Sequence, residues 1–171
     1  MRSFLTSKAG SVVQQLSGQS RYRVHVHECS HFLDVLRYSA VESLSQPWRY
    51  DVVVTCSSAD IACDALLLKP ASFTFQTPVF DGTPALPLRT VFGVVESFRR
   101  ISASNDETRY ALTIVPRIAL LNYTKGSEIY LNQSVTEVVE QVLRKHGLEG
   151  QDFEFRLSRE YPPRELITRW R

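Results

Sequence analysis

The chain has 171 residues, a mass of 19.5 kDa and a formal charge of +2 from 20 basic and 18 acidic residues. That length fits one domain, or one domain and the beginning of another, with room for a sizeable core. A hydrophobic content of 43% excludes wholesale disorder, and the charge balance excludes a nucleic-acid binder that relies on neutralising phosphates.

Residues 1–21 carry Ser, Gln, Gly and Lys with no acidic side chain, and read as a loose leader. From Tyr22 the pattern changes: Val24 and Val26 alternate with Arg23, His25 and His27, as on a half-buried strand. Phe32 to Val41 fits a strand, with a helix as the alternative. Ser45-Gln46-Pro47 is a turn, and Trp48 to Cys56 is a strand with Tyr50, Val52 and Val54 on one face. Asp60 is placed to cap a short helix through about Leu67, which Pro70 ends. Ala71 to Thr77 alternates again, and residues 78–87 form a loop around Asp81-Gly82.

Leu88 to Ser102 and Thr108 to Pro116 predict a long antiparallel hairpin, with Gly93 marking a bulge or a barrel corner. The clearest helix spans 134–147. Ser134 and Glu137 form a capping box, and Val135, Val138, Val139, Val142 and Leu143 recur at three and four. Lys145 and His146 suit the negative end of the helix dipole, and Gly147 suits its C′ position. Phe153 to Leu157 alternates as a strand, Tyr161-Pro162-Pro163 turns, and Glu165 to Trp170 begins another strand. The class is mainly β (α+β), a barrel or sandwich with a short early helix and a late amphipathic helix.

No constellation of reactive groups stands out. His25, His27, Cys29 and His31 are all zinc-ligand types, but period-two spacing sets alternate side chains nearly 7 Å apart along one strand, which cannot close a tetrahedron. Cys29, Cys56 and Cys63 are odd in number and read as buried reduced thiols. Asp60 and Asp64 read as acids of a first helical turn, and Asp106-Glu107 as a hairpin tip. Arg99, Arg100 and Arg109 read as a solvent-facing basic group, and Phe73, Phe75, Phe92 and Phe98 as core. Nucleotide-binding, nucleophile-elbow and zinc-protease motifs are missing, so no catalytic, cofactor-binding or metal-ligating residue is assigned and no cofactor is expected. The N-terminus has no secretory signal pattern, and no apolar run approaches the ~18 residues of a membrane span. The expected site of synthesis is therefore the cytoplasm.

A family resemblance runs through the chain in order. Tyr110 to Leu121 is followed by Ser127-Glu128-Ile129-Tyr130-Leu131-Asn132-Gln133-Ser134-Val135, the helix, Tyr161-Pro162-Pro163-Arg164-Glu165 and Thr168-Arg169-Trp170-Arg171. Upstream lie Glu42-Ser43-Leu44-Ser45-Gln46-Pro47-Trp48-Arg49-Tyr50, Ala65 to Phe75, and Arg89 to Phe98 with Gly93. This succession resembles the VgrG spike proteins of type VI secretion systems and the hub proteins of contractile phage tails. Thr136 stands where that family usually has Pro, and Lys69 where it has Gly.

The resemblance implies a phage-tail-hub-like β-barrel at 22–120, a connector at 121–149 holding the helix, and at 150–171 the start of an incomplete second hub module. It further implies a non-enzymatic structural part that forms a homotrimer, docks on an inner-tube protein, carries effectors or adaptors, and is exported as part of an injection apparatus. Neither nucleic acid nor a membrane is among the implied partners. The alternatives are a phage tail hub or baseplate protein, a small β-barrel module binding oligosaccharide or single-stranded nucleic acid, and a zinc module on His25, His27 and His31. The match also implies that the chain is a fragment, with the edge of its last strand left unpaired and Ile167 and Trp170 poorly covered.

Overall fold

The computed structural model describes residues 21–78, 84–150 and 152–170. The leader at 1–20 and the Asp81-Gly82 turn lie outside the described residues. The chain divides into two compact units, Met1–Pro116 and Arg117–Arg171.

Six strands of the first unit close into a barrel: β1 (Tyr22–Val26), β2 (Asp34–Val41), β3 (Arg49–Cys56), β4 (Pro70–Gln76), β5 (Pro87–Ala103) and β6 (Thr108–Val115). The order around it is β1-β2-β3-β6-β5-β4, every neighbouring pair is antiparallel, β4 pairs back to β1, and β1 meets β2 through the single pair Arg23↔Asp34. The ambiguity between barrel and sandwich is thus settled by the ladder from Tyr22↔Phe75 to Val26↔Ala71.

Alternation works as the sequence suggests on β1, β3, β4 and β6, where Val24, Val26, Tyr50, Val52, Val54, Ala71, Phe73, Tyr110, Leu112 and Ile114 are buried. Bulges change the parity elsewhere. In β2 the register shifts between Val35 and Arg37, so Val35 and Tyr38 both face the core while Leu36 is 53% exposed. β5 shifts between Val95 and Ser97, which lets Val95 and Phe98 both point inward. Phe92, expected in the core, faces outward and is 75% exposed, because Val91 and Val95 occupy the inner positions.

Aromatic rings fill one end of the barrel. Tyr38 lies 4.6 Å from Tyr22 and 5.0 Å from Phe73 between ring centroids, and Tyr50 lies 5.3 Å from Phe73. Such pairs add about 0.5–1.5 kcal/mol each beyond the area they bury. At the other end Phe98 stacks on Tyr110 at 5.1 Å. The Tyr110 hydroxyl donates to the Ser58 carbonyl at 3.0 Å and accepts from the Ile61 amide at 3.3 Å, which fixes the segment after β3 as a cover for that end.

The short early helix is a single 3-10 turn, Cys63–Ala65, entered from Ala62 with no side-chain cap. It is shorter than the expected span, and Asp60 does not cap it. Asp60 instead lies 4.0 Å from Arg100, and Leu66 behind the turn is fully buried. Burial of Leu66 holds this segment, so one turn suffices.

In the second unit a 3-10 turn, Arg117–Tyr123, leads to β7 (Glu128–Gln133), helix α1 (Val135–Lys145) and β8 (Arg164–Arg169). Both halves of the capping box are made: Ser134 Oγ accepts from the Glu137 amide at 3.2 Å, and Glu137 Oε2 accepts from the Ser134 amide at 2.7 Å. At the far end Gly147 adopts φ +73°, its amide donates to Arg144 at 2.9 Å, and Leu148 donates to Leu143 at 3.0 Å. This paired arrangement is the Schellman termination, which a residue with a Cβ resists.

β8 pairs antiparallel with β7, from Glu128↔Arg169 to Gln133↔Arg164. The last strand therefore has a partner on one side and, among the described residues, an unpaired edge on the other; Ile167 is half-buried and Trp170 is 79% exposed. Residues 153–157 form no strand, and Phe153 and Phe155 instead meet edge to face at 5.5 Å.

Candidate functional site

Strand ends and turns separate the residues that resemble metal ligands. β1 stops at Val26, and Glu28 turns the chain with φ +60°, so His25, His27, Cys29 and His31 do not share a strand face. His25, His27 and His31 are exposed, whereas Cys29 is half-buried against the barrel core. Among the described residues no three His, Cys, Asp or Glu side chains come together as a metal site. Of the three thiols only Cys56 is buried; Cys29 is intermediate and Cys63 exposed. The reading of all three as core thiols fails because the 3-10 turn aims Leu66, not Cys63, inward.

The expected basic group is dispersed. Arg100 Nη1 donates to the Ala59 carbonyl at 3.1 Å, and Arg109 pairs with Glu107 at 2.9 Å. Glu107 closes the hairpin tip, its carbonyl accepting from the Ser104 hydroxyl at 2.8 Å. Arg99 stands apart from both.

Two polar arrangements emerge that the sequence pattern does not display. The first seals the aromatic end of the barrel. Tyr50, 1% exposed, donates its hydroxyl proton to Glu42, and Arg89 Nη2 donates to the same carboxylate at 2.7 and 2.9 Å. Burial and the Glu42 carboxylate push the Tyr50 phenol up to about 12. The Tyr50 hydrogen bond, and then Arg89, hold Glu42 below its ordinary 4.5. These contacts join the ends of β2 and β3 to the start of β5.

The second lies on the outer face of β2, β3, β6 and β5. Register places Arg37, Val53, Ala111 and Arg99 in one row across the four strands, and Ser39, Asp51, Thr113 and Ser97 in the next. The two rows line a groove of about 450 Å³. At one end Arg49 Nη1 contacts Glu96 at 2.8 Å and its Nε contacts Asp51 at 3.1 Å. Thr113 Oγ1 donates to Asp51 at 2.7 Å and lies 3.0 Å from Ser97 Oγ. Burial acts to raise Asp51, but Arg49 and Thr113 outweigh it and leave the carboxyl below its ordinary value.

The first unit is thus a closed barrel with a hydrogen-bonded end and a polar outer face. The chain belongs to the phage tail baseplate hub (GPD) family, whose pattern matches residues 41–171. It is similar to the type VI secretion system spike protein VgrG4b of Pseudomonas aeruginosa, 29% identical over 90% of this chain and 18% of that protein. VgrG1b of the same organism is 31% identical over 81% of this chain and 18% of its own length. The chain thus spans about a fifth of these relatives. Among solved structures it resembles the E. coli c3393 protein, described as a type VI secretion component structurally similar to the T4 tail proteins gp27 and gp5. The TM-score is 0.75 and the identity 36%, covering 86% of this chain and 39% of that one.

Proposed function

We propose that this chain is a non-enzymatic structural element of a type VI secretion spike hub. The observation that carries the reading is the fold, which over 86% of the chain matches a type VI component at 36% identity. Residues 22–120 serve as the first hub barrel, 121–149 as the connector, and 150–171 as the start of a second module. In this reading the element is made in the cytoplasm, assembles as a homotrimer, docks on the inner-tube protein and leaves the cell with the injection apparatus. Effectors or adaptors ride on the assembled spike.

Deleting the encoding gene in its own host, and complementing it in trans, tests the reading. Export of the inner-tube protein into the medium falls on deletion and returns on complementation. Normal export after deletion overturns it. Loss of infective particles from an induced prophage, with export unchanged, would instead assign the chain to a phage tail.

A further inference from the structure

The groove on the outer face of β2, β3, β6 and β5 has an uneven charge distribution. Toward one end Arg49, Asp51, Glu96, Thr113 and Ser97 satisfy one another. Toward the other, Arg37 and Arg99 flank a floor made of Val53 and Ala111. Neither guanidinium has a hydrogen-bond or ion-pair partner among the described residues. The other arginines on this face are paired: Arg49 with Asp51 and Glu96, and Arg109 with Glu107.

Two unpaired guanidinium groups around a half-buried apolar floor match carboxylates, which they can bind by charge-assisted, bidentate hydrogen bonds. Arg37 and Arg99 stand three strand spacings apart, roughly 14 Å at about 4.8 Å per strand. An extended chain covers about the same distance in four residues. The row between the two arginines crosses β3 and β6, each paired along both edges, so a segment lying over it is read through side chains rather than by adding a strand.

We propose that this groove docks an extended acidic polypeptide segment of a partner protein, with carboxylates four positions apart on Arg37 and Arg99. A polypeptide fits better than a nucleic acid. Asp51 and Glu96 place negative charge at the far end of the groove, which repels a continuous run of phosphates but tolerates a segment whose charge is confined to one stretch.

The test is fluorescence anisotropy on the full chain at low salt. The probe is a fluorescein-labelled Gly/Ser peptide with two glutamates four positions apart; the control peptide has glutamines there. The glutamate peptide binds and the glutamine peptide does not. R37A/R99A weakens binding roughly tenfold or more, as loss of charge-assisted hydrogen bonds requires. R156A/R159A, with the same change in net charge on exposed residues of the second unit, leaves it unchanged. Ala111→Glu, which puts a competing carboxylate on the groove floor, abolishes it, and guards against misreading a folding defect in the double variant. Titration also moves the methyl resonances of Val53 and Ala111 in the unsubstituted chain. Equal binding by the unsubstituted chain and R37A/R99A overturns the proposal. Tighter, Arg37- and Arg99-dependent binding of an oligothymidylate with as many negative charges overturns it in favour of a nucleic acid.

Discussion

A Cβ placed on Gly93 would stand 2.3 Å from the carbonyl oxygen of Val115 and 2.6 Å from the Trp48 ring. Both distances are shorter than any real Cβ contact, and one of the obstacles is backbone. β5 and β6 meet here through Val94↔Val115, and Trp48 rests edge-on against Tyr50 at 5.5 Å. Gly93 is therefore the position at which strand β5 can pass under an indole ring without moving its neighbour strand.

Replacing Gly93 by Ala should destabilise the barrel by about 1–3 kcal/mol, the usual range for overpacking, because a carbonyl in a ladder cannot swing aside as a side-chain tip can. Gly93→Val should prevent folding. Urea denaturation followed by tryptophan fluorescence reads both, since Trp48 reports on the site directly.

Phe73 and Phe92 sit on adjacent strands and look alike in sequence, yet one is fully buried and the other 75% exposed. Phe73→Ala should cost about 3–5 kcal/mol, as for a large core aromatic. Phe92→Ser should change stability by no more than about 0.5 kcal/mol. Thermal unfolding of the two variants side by side separates them.

Acid should weaken the closed end of the barrel. Tyr50 and Arg89 hold the folded-state value of Glu42 below its ordinary 4.5. The stabilisation is therefore present in full above about that pH and is lost as the pH falls through the depressed folded value. Arg49 and Thr113 act in the same sense on Asp51. Asp34 runs the other way: burial raises it, so its contribution is lost as the pH rises through the raised folded value. Melting temperatures measured from pH 6 down to pH 3 should fall less steeply for Glu42→Gln than for the unsubstituted chain.

Thiol labelling should proceed in the order of exposure. Cys63 should react first with a disulfide reagent, Cys29 more slowly, and Cys56 only on unfolding. Mass spectrometry of partially labelled, digested protein gives the order.

Ser134→Ala removes the side-chain oxygen that caps the Glu137 amide, and should cost about 1 kcal/mol. The loss should appear as faster amide exchange in the first turn of α1, with barrel amides unchanged.

Where local chemistry decides the outcome, the structure is legible in the residues. Ser134, Glu137 and Gly147 state both ends of α1, and the alternation of Val24 and Val26, or of Tyr50, Val52 and Val54, marks the inner wall. The misreadings occur where tertiary contacts override a local pattern. The bulge after Val35 lets both Val35 and Tyr38 face inward, and no local residue type announces it. Asp60 looks like a cap until burial of Leu66 shortens the helix to one turn. Phe92 reads as core because alternation alone does not say which parity is inside. β7 carries mixed residues that pair only because Arg164–Arg169 returns to them. The groove depends on register across four strands, so Arg37 and Arg99, far apart in the chain, could not have been joined by reading along it.

The closed wall also has a kinetic consequence. Hairpins β2–β3 and β5–β6 can each zip from a local turn, but neither closes the cylinder. Closure waits for Tyr50 to find Ile114 and for Tyr22 to find Phe75. Both encounters require long stretches of chain to be ordered before any ladder bond rewards them, so folding should take milliseconds to seconds, in the range of other proteins dominated by non-local pairing. Until that seam shuts, the nascent barrel is an open sheet, and its most vulnerable moment comes before it is finished rather than after.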